Sequence, residues 1–295
     1  MHPLKDVRIL DLTAIIFGPL ASQVLAEYGA EVIKIEPPVG DSTRTTGPTS
    51  EHGMSALFLG CNRNKKSVTL DLKQPDAQVA LHALVPTADV LMYSMRPQKL
   101  KSLGIDLDEL RTQYPMLICA GLHGFASNGP YSGRPAYDDV IQGMSGLVDL
   151  MHRQSGEARY LPTIIADKTS ALVAAHAILA ALLQRERTGK GCFVEVPMFE
   201  TMVNYNLVEH LYGSHFNPAL TPTGYPRVLA PWRRPHKTLD GYVCMMPYTD
   251  AHWRKFFAEV GQPELANEAR FKDITERTKN IESLLELASR FAAKK

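Results

Sequence analysis

The first 36 residues alternate strand, helix and strand, and this order limits the fold more than any other feature of the sequence. Residues Val7 to Leu12 are typical of a buried strand, and Glu31 to Glu36 follow a second strand pattern. Between them, Gly18 to Tyr28 predict a helix that ends before Gly29. Two strands joined through a helix form a parallel βαβ unit. The chain therefore begins as an α/β protein.

The same alternation continues along the chain. It predicts a Rossmann-like parallel sheet with helices on both faces over about the first 200 residues. The further strands are predicted at Ser67 to Leu70, Asp89 to Met92 and Met116 to Leu122, and the helices at Pro75 to Val85 and Leu107 to Gln113.

The length of 295 residues indicates about two domains. We assign residues 1–215 to a large α/β domain and residues 216–240, rich in Pro, Thr, Arg and Gly, to a linker or active-site loop. Residues 241–295 are predicted to form a smaller α+β domain. Its predicted elements are a strand at Tyr242 to Met246 and helices near His252 to Val260 and Ile274 to Ala293.

Charge and cysteine content exclude several classes of protein. The 32 Lys and Arg residues nearly balance the 31 Asp and Glu residues, which argues against a nucleic-acid or membrane-surface partner. The N-terminus lacks a leader pattern, and the apolar window from Leu12 to Ala26 is too short to span a bilayer. The four cysteines form no C-x-x-C pair, so we expect reduced thiols in a cytoplasmic protein.

Three catalytic motifs are missing. Gly124 to Gly129 is followed by Pro130 rather than by the Lys of a phosphate-binding loop, which argues against ATP hydrolysis. Thr13 to Pro19 is not a G-x-G-x-x-G fingerprint, which argues against NAD. No H-E-x-x-H occurs, and we therefore expect no metal.

Asp167 is the strongest candidate for chemistry. It lies among apolar residues just before a long helical run that ends at Thr188-Gly-Lys-Gly191. A carboxylate in such surroundings is unfavourable unless something satisfies it, and the free N–H groups of a helix N-terminus would keep it ionised. Two interpretations stay open: Asp167 caps the helix, or it acts as a nucleophile.

Basic residues beside the predicted strands suggest phosphate binding. Arg63, Lys65 and Lys66 precede one strand, and Arg96 follows another. Ligands of such sheets bind at the carboxyl ends of the strands, so these side chains are predicted to hold a nucleotide-like ligand. Ordinary solvated charge is the alternative interpretation.

Many blocks together, in the same order, resemble the class III CoA-transferase family, also called CaiB/BaiF, which includes formyl-CoA transferases. They cover most of residues 5–200, with a thinner match to about residue 285. The blocks are Val7-Arg-Ile-Leu-Asp-Leu-Thr13, Gly18-Pro19, Tyr28-Gly-Ala-Glu-Val-Ile-Lys-Ile-Glu-Pro-Pro38, Asn62-Arg-Asn-Lys-Lys-Ser67, Arg96-Pro97, Gly124-Phe125, Gly129-Pro-Tyr131, Arg134-Pro-Ala-Tyr-Asp138, Gln142-Gly-Met-Ser-Gly146, the Asp167 segment, and Thr188 to Met198.

The resemblance implies a CoA-transferase that uses an acyl-CoA and a carboxylic acid, with no metal and no nucleotide other than coenzyme A. Asp167 matches the family's catalytic aspartate, which forms a mixed anhydride and then an aspartyl-CoA thioester. Because one thioester replaces another, no ATP is needed. The resemblance also implies an interlocked homodimer.

The resemblance further implies a set of binding residues. Plain structural interpretations remain for some, with Ile15 and Ile16 as core residues and Tyr137 as an aromatic at a helix start. The implied roles are Ile15, Ile16 and Phe17 at the CoA thioester, Asn64 and Lys65 near the adenosine phosphates, Met95 and Arg96 near the pantetheine or phosphates, Lys101 at a phosphate, and Tyr137 beside the acyl group.

Several departures from the family pattern affect the expected specificity. Ile16 replaces a Gln found in some transferases, and no Gly-Gly run precedes Asp240, which argues against formyl or oxalyl substrates. Glycine turns in residues 217–241 are candidate oxyanion donors. The family's chains run longer, so the small domain is expected to be incomplete. The late loop is basic and would suit a second carboxylate through Arg227, Arg233, Arg234 and His236.

Two alternatives to transfer remain. An acyl-CoA racemase of the same superfamily needs a base on each face of the α-carbon, one of them in a His-Asp pair. This chain has Tyr137-Asp138 in that place, so transfer is favoured. A CoA-binding homologue without turnover is the second alternative.

Overall fold

The computed structural model describes residues 2–295 and contains a six-stranded sheet in which every neighbouring pair is parallel. The strand order is β3-β2-β1-β4-β5-β6, which confirms the predicted parallel α/β architecture. The strands are β1 (Arg8–Leu12), β2 (Glu31–Glu36), β3 (Lys65–Thr69), β4 (Val90–Tyr93), β5 (Ile118–His123) and β6 (Phe193–Pro197).

The strand order reverses at the centre of this sheet. The chain runs outward from β1 through β2 to β3, and then returns to the other side of β1 as β4. A crevice opens between the carboxyl ends of two such central strands, and ligands of open α/β sheets bind there. In this chain the crevice lies beyond Leu12 and Tyr93.

The chain forms two compact units, each made of two sequence segments. The first contains the residues up to Ser145 together with Leu161–Tyr205, and the second contains Gly146–Tyr160 together with Asn206–Lys295. The helices, in chain order, are α1 (Phe17–Glu27), α2 (Ala56–Asn62), α3 (Pro75–Leu84), α4 (Pro97–Ser102), α5 (Leu107–Gln113), α6 (Asp138–Met144), α7 (Leu147–Ser155), α8 (Ile165–Thr188), α9 (Met198–His210), α10 (Pro226–Leu229), α11 (Asp250–Glu259), α12 (Ile274–Lys279) and α13 (Ile281–Ala292).

Helices α1 and α8 pack against each other in the first unit. The buried face of α8 is made of small residues, including Ala171, Ala174 and Ala175, which allow close approach. A second apolar cluster joins β1, β4 and β5 to α3, α4 and α5 through Leu91, Leu100 and other side chains. By length and composition alone α8 could span a membrane, and 44% of its apolar window is buried inside the protein.

The second unit has a separate aromatic core. Trp253 and Phe257 of α11 pack with Leu284 of α13, and a short antiparallel hairpin pairs β7 (His236–Lys237) with β8 (Tyr242–Val243). Residues 216–240 therefore contain structured elements, α10 and β7, rather than only a linker. The unit also includes residues 146–160, which the predicted ranges placed in the large domain, because α7 packs against α10.

One predicted helix of this unit is interrupted. The run from Ile274 to Ala293 was expected to be continuous, but it divides at Asn280 into α12 and α13. The Asn280 side-chain amide donates to the backbone oxygens of Glu276, at 2.9 Å, and Arg270, at 3.3 Å. Local bonding of this kind competes with the helical pattern and ends the first segment.

Candidate functional site

The first unit contains a cavity of about 1040 Å³ at the carboxyl edge of its sheet. Its walls come from the segments that follow β1, β4 and β5, the end of β5, the start of α9 and the first turn of α8. The cavity therefore occupies the crevice at the reversal of strand order. Of the predicted site residues, the structure brings together Ile15, Phe17, Met95, Arg96, Tyr137 and Asp167.

Asp167 lies in the first turn of α8 rather than just before the helix, and it does not cap the helix. The N-cap position is Ile164, whose side chain makes no capping bond. The backbone N–H groups of Ala166 and Asp167 donate to Asp138 Oδ1, at 2.7 and 3.1 Å. Because Asp138 occupies these donors, the expectation that free N–H groups of the helix bind the Asp167 carboxylate is wrong.

Asp138 is itself buried and held by Gln142. The Gln142 amide donates to Asp138 Oδ2 at 2.6 Å and to the backbone oxygen of Thr163 at 3.2 Å. The Gln142 Oε1 atom accepts from the backbone N–H of Leu161 at 2.9 Å. One amide thus ties α6 to the segment that leads into α8, and fixes where the first turn of α8 lies.

The Asp167 carboxyl is half-buried and unusually basic. Burial and, to a smaller degree, the nearby negative charge of Asp138 raise its pKa, the Phe17 backbone N–H opposes both effects, and the resulting pKa is about 6. With a pKa of about 6 roughly nine-tenths of the group is ionised at pH 7. A partly dehydrated, ionised carboxylate can act as a nucleophile.

Three cationic side chains line the cavity without an acidic partner among residues 2–295: Arg96, Lys99 and Arg134. Arg96 Nη1 donates to the backbone oxygen of Gly133 at 2.9 Å, and the Arg134 guanidinium lies 5.1 Å from the ring centre of Tyr131. Guanidinium and ammonium groups left without carboxylates suit phosphate oxygens. The cavity can therefore accept a large anionic ligand.

Four predicted binding residues lie elsewhere. Ile16 is buried, as its core interpretation requires, and Asn64 lies on the exposed turn before β3. Lys101 is exposed and pairs with Asp106 at 3.0 Å. The Lys65 ammonium is buried and donates to the oxygen of Pro19 at 2.7 Å.

The buried position of Lys65 does not fit the predicted contact between its ammonium group and a phosphate. Its ammonium also donates to Asn62 Oδ1, at 2.8 Å, and pairs with Asp11, at 3.3 Å, so its three donors are used. Strand β3 begins at Lys65, two residues earlier than expected, so this segment lies at the amino edge of the sheet. Ligands bind at the opposite edge.

The basic late loop also differs from the prediction. Arg227 and His236 are buried in the second unit, where Arg227 lies 5.0 Å from the ring centre of Tyr248 and His236 Nδ1 contacts Ser289 Oγ at 2.6 Å. Two of the four proposed carboxylate-binding groups are thus used within that unit. The oxyanion donors expected in residues 217–241 stay a prediction.

Sequence reasoning missed several residues of the cavity. His123, at the end of β5, lines it, and burial lowers the pKa of this imidazole. Lys99 and Arg134 also belong to it. In the sequence, Asp138 stands out only by its position beside Tyr137. It accepts the backbone N–H of Asp167, which lies 29 residues later, so no local pattern reveals this contact.

Among the residues that the structure describes, the cysteine thiols and the possible metal ligands show no arranged reactive site. All four cysteines are free; Cys61 and Cys119 are buried, whereas Cys244 is exposed and does not serve packing. Within residues 2–295 no group of three His, Cys, Asp or Glu side chains is arranged to hold a metal ion.

Comparison with known proteins gives consistent matches over the whole chain. The model of CoA-transferase family III matches residues 4–295. The chain is 36% identical to probable fatty acyl-CoA transferase Rv3272 from Mycobacterium tuberculosis, over 97% of this chain and 76% of that protein. It is 32% identical to succinyl-CoA:glutarate CoA-transferase from Mus musculus, over 99% of this chain and 67% of that protein.

A solved structure agrees with these sequence matches. The crystal structure of Rv3272 superposes with a TM-score of 0.84 at 35% identity, covering 100% of this chain and 79% of that chain. The resemblance inferred from the ordered sequence blocks is therefore confirmed. The chain belongs to CoA-transferase family III and is an enzyme of the CoA-transferase class.

Proposed function

We propose that this chain moves coenzyme A from an acyl-CoA thioester to a carboxylic acid, with Asp167 as the nucleophile. The observation that carries the proposal is the Asp167 carboxylate, half-buried and with its pKa raised to about 6, in a cavity lined by cations. Such a group is mostly ionised at neutral pH and more basic than an exposed carboxylate.

The first half of the reaction uses Asp167 and the donor. An Oδ atom of Asp167 attacks the thioester carbonyl carbon, the C–S bond breaks, and a mixed anhydride and a CoA thiolate form. The thiolate then attacks Asp167 Cγ. This step releases the donor acid as a carboxylate and leaves an aspartyl-CoA thioester on the enzyme.

The second half repeats these steps with the acceptor. The acceptor carboxylate attacks Asp167 Cγ, expels the CoA thiolate and forms a second anhydride. The thiolate then attacks the acceptor carbonyl carbon, which yields the new acyl-CoA and returns Asp167 to its ionised form. Every bond broken is matched by one formed, so no water, nucleotide or net proton is consumed.

The cavity residues have distinct proposed tasks in this scheme. Arg96, Lys99 and Arg134 bind the phosphates of coenzyme A, because their charges have no acidic partner among the described residues. Tyr137, 67% exposed at the start of α6, contacts the acyl group. The Phe17 backbone N–H orients the Asp167 carboxylate through its hydrogen bond.

Substitution of Asp167 by Asn tests the proposal. Transfer between an acyl-CoA and a panel of carboxylic acids, including dicarboxylic acids and fatty acids, should fall by at least about 1000-fold, because the amide cannot form the anhydride. Asp139→Asn is the matched control. Asp139 is exposed on α6, next to Asp138, and does not line the cavity.

Trapping distinguishes transfer from the two alternatives. Incubation of the wild-type enzyme with acyl-CoA and hydroxylamine should convert residue 167 to a hydroxamate, detectable by peptide mass spectrometry. Exchange of the substrate α-proton without a hydroxamate would indicate a racemase, and binding without either product would indicate a CoA-binding protein. Full transfer activity in Asp167→Asn would show that Asp167 is not the nucleophile.

A further inference from the structure

The loop between β1 and α1 is fastened at its beginning by buried charges. The backbone N–H of Thr13 donates to Asp11 Oδ1 at 2.9 Å, and Lys34 Nζ donates to the backbone oxygen of Thr13 at 2.8 Å. Asp11 and Lys34 are both fully buried. Polar groups desolvated to this degree make strong, directional contacts. The first residue of the loop therefore has little freedom.

The middle of the loop is bound by a second buried acid. The backbone N–H of Ile15 points at the Asp41 carboxylate, 3.3 Å from Oδ1 and 3.2 Å from Oδ2. Asp41 Oδ2 in turn lies 2.9 Å from Lys34 Nζ, and both side chains are 1% exposed. Lys34 and Asp41 thus contact the loop two residues apart, at Thr13 and at Ile15.

Ile15 needs such support because its backbone is strained. Its φ angle is +70°, in the left-handed region that a β-branched residue rarely adopts. Its side chain is 44% exposed, so burial in the core does not explain the conformation. Strain of this kind persists only where the surroundings determine the backbone, and it concentrates at functional sites. The surroundings here are the bonds to Asp41.

The end of the same loop contacts the proposed nucleophile. Two residues after Ile15, Phe17 begins α1 and lines the cavity together with Asp167, and its backbone N–H is near enough to the Asp167 carboxylate to lower the pKa of that group. We propose that the buried Lys34–Asp41 pair is a positioning device for the reaction, because it holds Ile15 in the left-handed conformation and so directs the Phe17 N–H at Asp167. This role rests on the proposed function of Asp167.

Asp41→Asn removes the device with little change in volume. Oδ1 of Asp41 accepts from the backbone N–H and hydroxyl of Thr43, at 2.9 and 2.8 Å, while Oδ2 faces Lys34. Donors therefore surround both oxygens. An Asn amide must present its NH₂ group to one set of donors, which breaks the bonding on that side.

The variant should act on turnover more than on binding. In Asp41→Asn we expect kcat to fall about 10- to 100-fold with a smaller change in KM for acyl-CoA, because the nucleophile is misplaced. Loss of the Phe17 hydrogen bond should also raise the pKa of Asp167, measured directly by ¹³C NMR of labelled aspartate. Adding Ile15→Gly should return the Asp167 pKa toward its wild-type value, since glycine adopts positive φ without support.

Asp89→Asn is the matched control. Asp89 is also paired with a buried cation, Arg185 at 2.8 Å, but it precedes β4 at the amino edge of the sheet. It should lower thermal stability without changing kcat or the pKa of Asp167. If Asp41→Asn behaves like this control, the pair is only structural and the proposal is overturned.

Failure of the positioning role can be separated from failure of the proposed function. Asp167→Asn tests the proposed function, since retained transfer would show that Asp167 is not the nucleophile. The NMR titration of Asp167 tests the positioning role without reference to activity. An unchanged Asp167 pKa and kcat in Asp41→Asn, with Asp167→Asn inactive, would reject the device and keep the nucleophile.

Discussion

Two carboxylates at the first turn of α8 have different tasks. Asp138 accepts the N–H groups of Ala166 and Asp167 and so satisfies the helix terminus. Asp167 faces the cavity, where the Phe17 backbone N–H lowers the pKa of its carboxyl. Since the first-turn donors go to the neighbour, burial and the charge of Asp138 leave the Asp167 carboxyl more basic than usual. The geometry therefore destabilises the ionised form of the proposed nucleophile.

Asp167→Asn is expected to stabilise the protein at neutral pH. The folded-state pKa of about 6 lies above the ordinary 3.8, so the folded protein binds this proton more tightly, and the wild type loses stability as pH rises from about 4 to 6. The variant has no such loss. Its free energy of unfolding should exceed that of the wild type by about 2–3 kcal/mol at pH 7.

Urea unfolding at pH 7 and pH 4 measures this effect. The advantage of Asp167→Asn should shrink to about 0.5 kcal/mol at pH 4, where the folded-state carboxyl is already protonated and the unfolded-state carboxyl is about half protonated. Asp139→Asn, exposed and outside the cavity, should show no comparable change. A variant that is less stable than the wild type at pH 7 would contradict the raised pKa.

Asp138→Asn should shift the pH dependence of transfer. Removing this negative charge lowers the pKa of Asp167, so the acidic limb of the kcat profile should move below pH 6. The shift should be partial, because burial is the larger cause and remains. The helix terminus should also lose about 1–2 kcal/mol of stability, seen in thermal unfolding. An acidic limb that stays in place would exclude the charge effect.

The exit of α8 into β6 depends on one glycine that cannot carry a side chain. A Cβ atom on Gly191 would lie 2.1 Å from the backbone oxygen of Leu117 and 2.7 Å from the carbonyl carbon of Met116. Backbone atoms cannot move aside as a flexible side chain can. Gly189, in contrast, ends α8 with a φ of +68° and has open space around it.

These two glycines give a matched pair of alanine substitutions. Gly191→Ala should destabilise the protein by at least about 3 kcal/mol, because β5 and β6 must move apart. Gly189→Ala should lower the free energy of unfolding by only about 1 kcal/mol, because alanine is penalised in a left-handed conformation. Equilibrium denaturation of both variants checks the order, and equal losses would contradict the close approach.

Elements with a clear local signal could be predicted well. The bounds of β2 and α5 are those expected from the sequence, since each has strong periodicity and flanking turn residues. The start of β3 was missed because Lys65 and Lys66 do not look like strand residues. That error placed Lys65 at the wrong edge of the sheet, and its buried pairing with Asp11 is a contact over 54 residues.

The site followed the same rule. Asp167, Ile15 and Phe17 were predicted from ordered sequence blocks, and the structure brings them together at one cavity. The partnership of Asp138 with α8 and the contact of Asp41 with Ile15 join residues 29 and 26 positions apart, and only the folded chain reveals them. Buried charges read from sequence look like ordinary polar residues, because their burial is a tertiary property.

At the scale of the whole molecule, each unit has its own core. In the second unit Leu284 is fully buried with Trp253 and Phe257, while Leu239 is 79% exposed. Leu284→Ala should therefore lower the free energy of unfolding by about 2–5 kcal/mol, and Leu239→Ala by less than about 0.5 kcal/mol. Faster amide hydrogen exchange in α11 and α13 of Leu284→Ala would show that the lost stability lies in this core. Equal effects of the two substitutions would contradict this core.

The bonding of the α8 terminus to Asp138 has a consequence for every catalytic cycle. In the proposed reaction the Asp167 side chain changes from anion to anhydride to thioester, and each form presents different acceptors. If that side chain also anchored the helix, the scaffold would loosen and reform twice per cycle. Because another residue anchors the helix, we expect covalent change at the Asp167 oxygen to leave the position of α8 unchanged through the proposed intermediates.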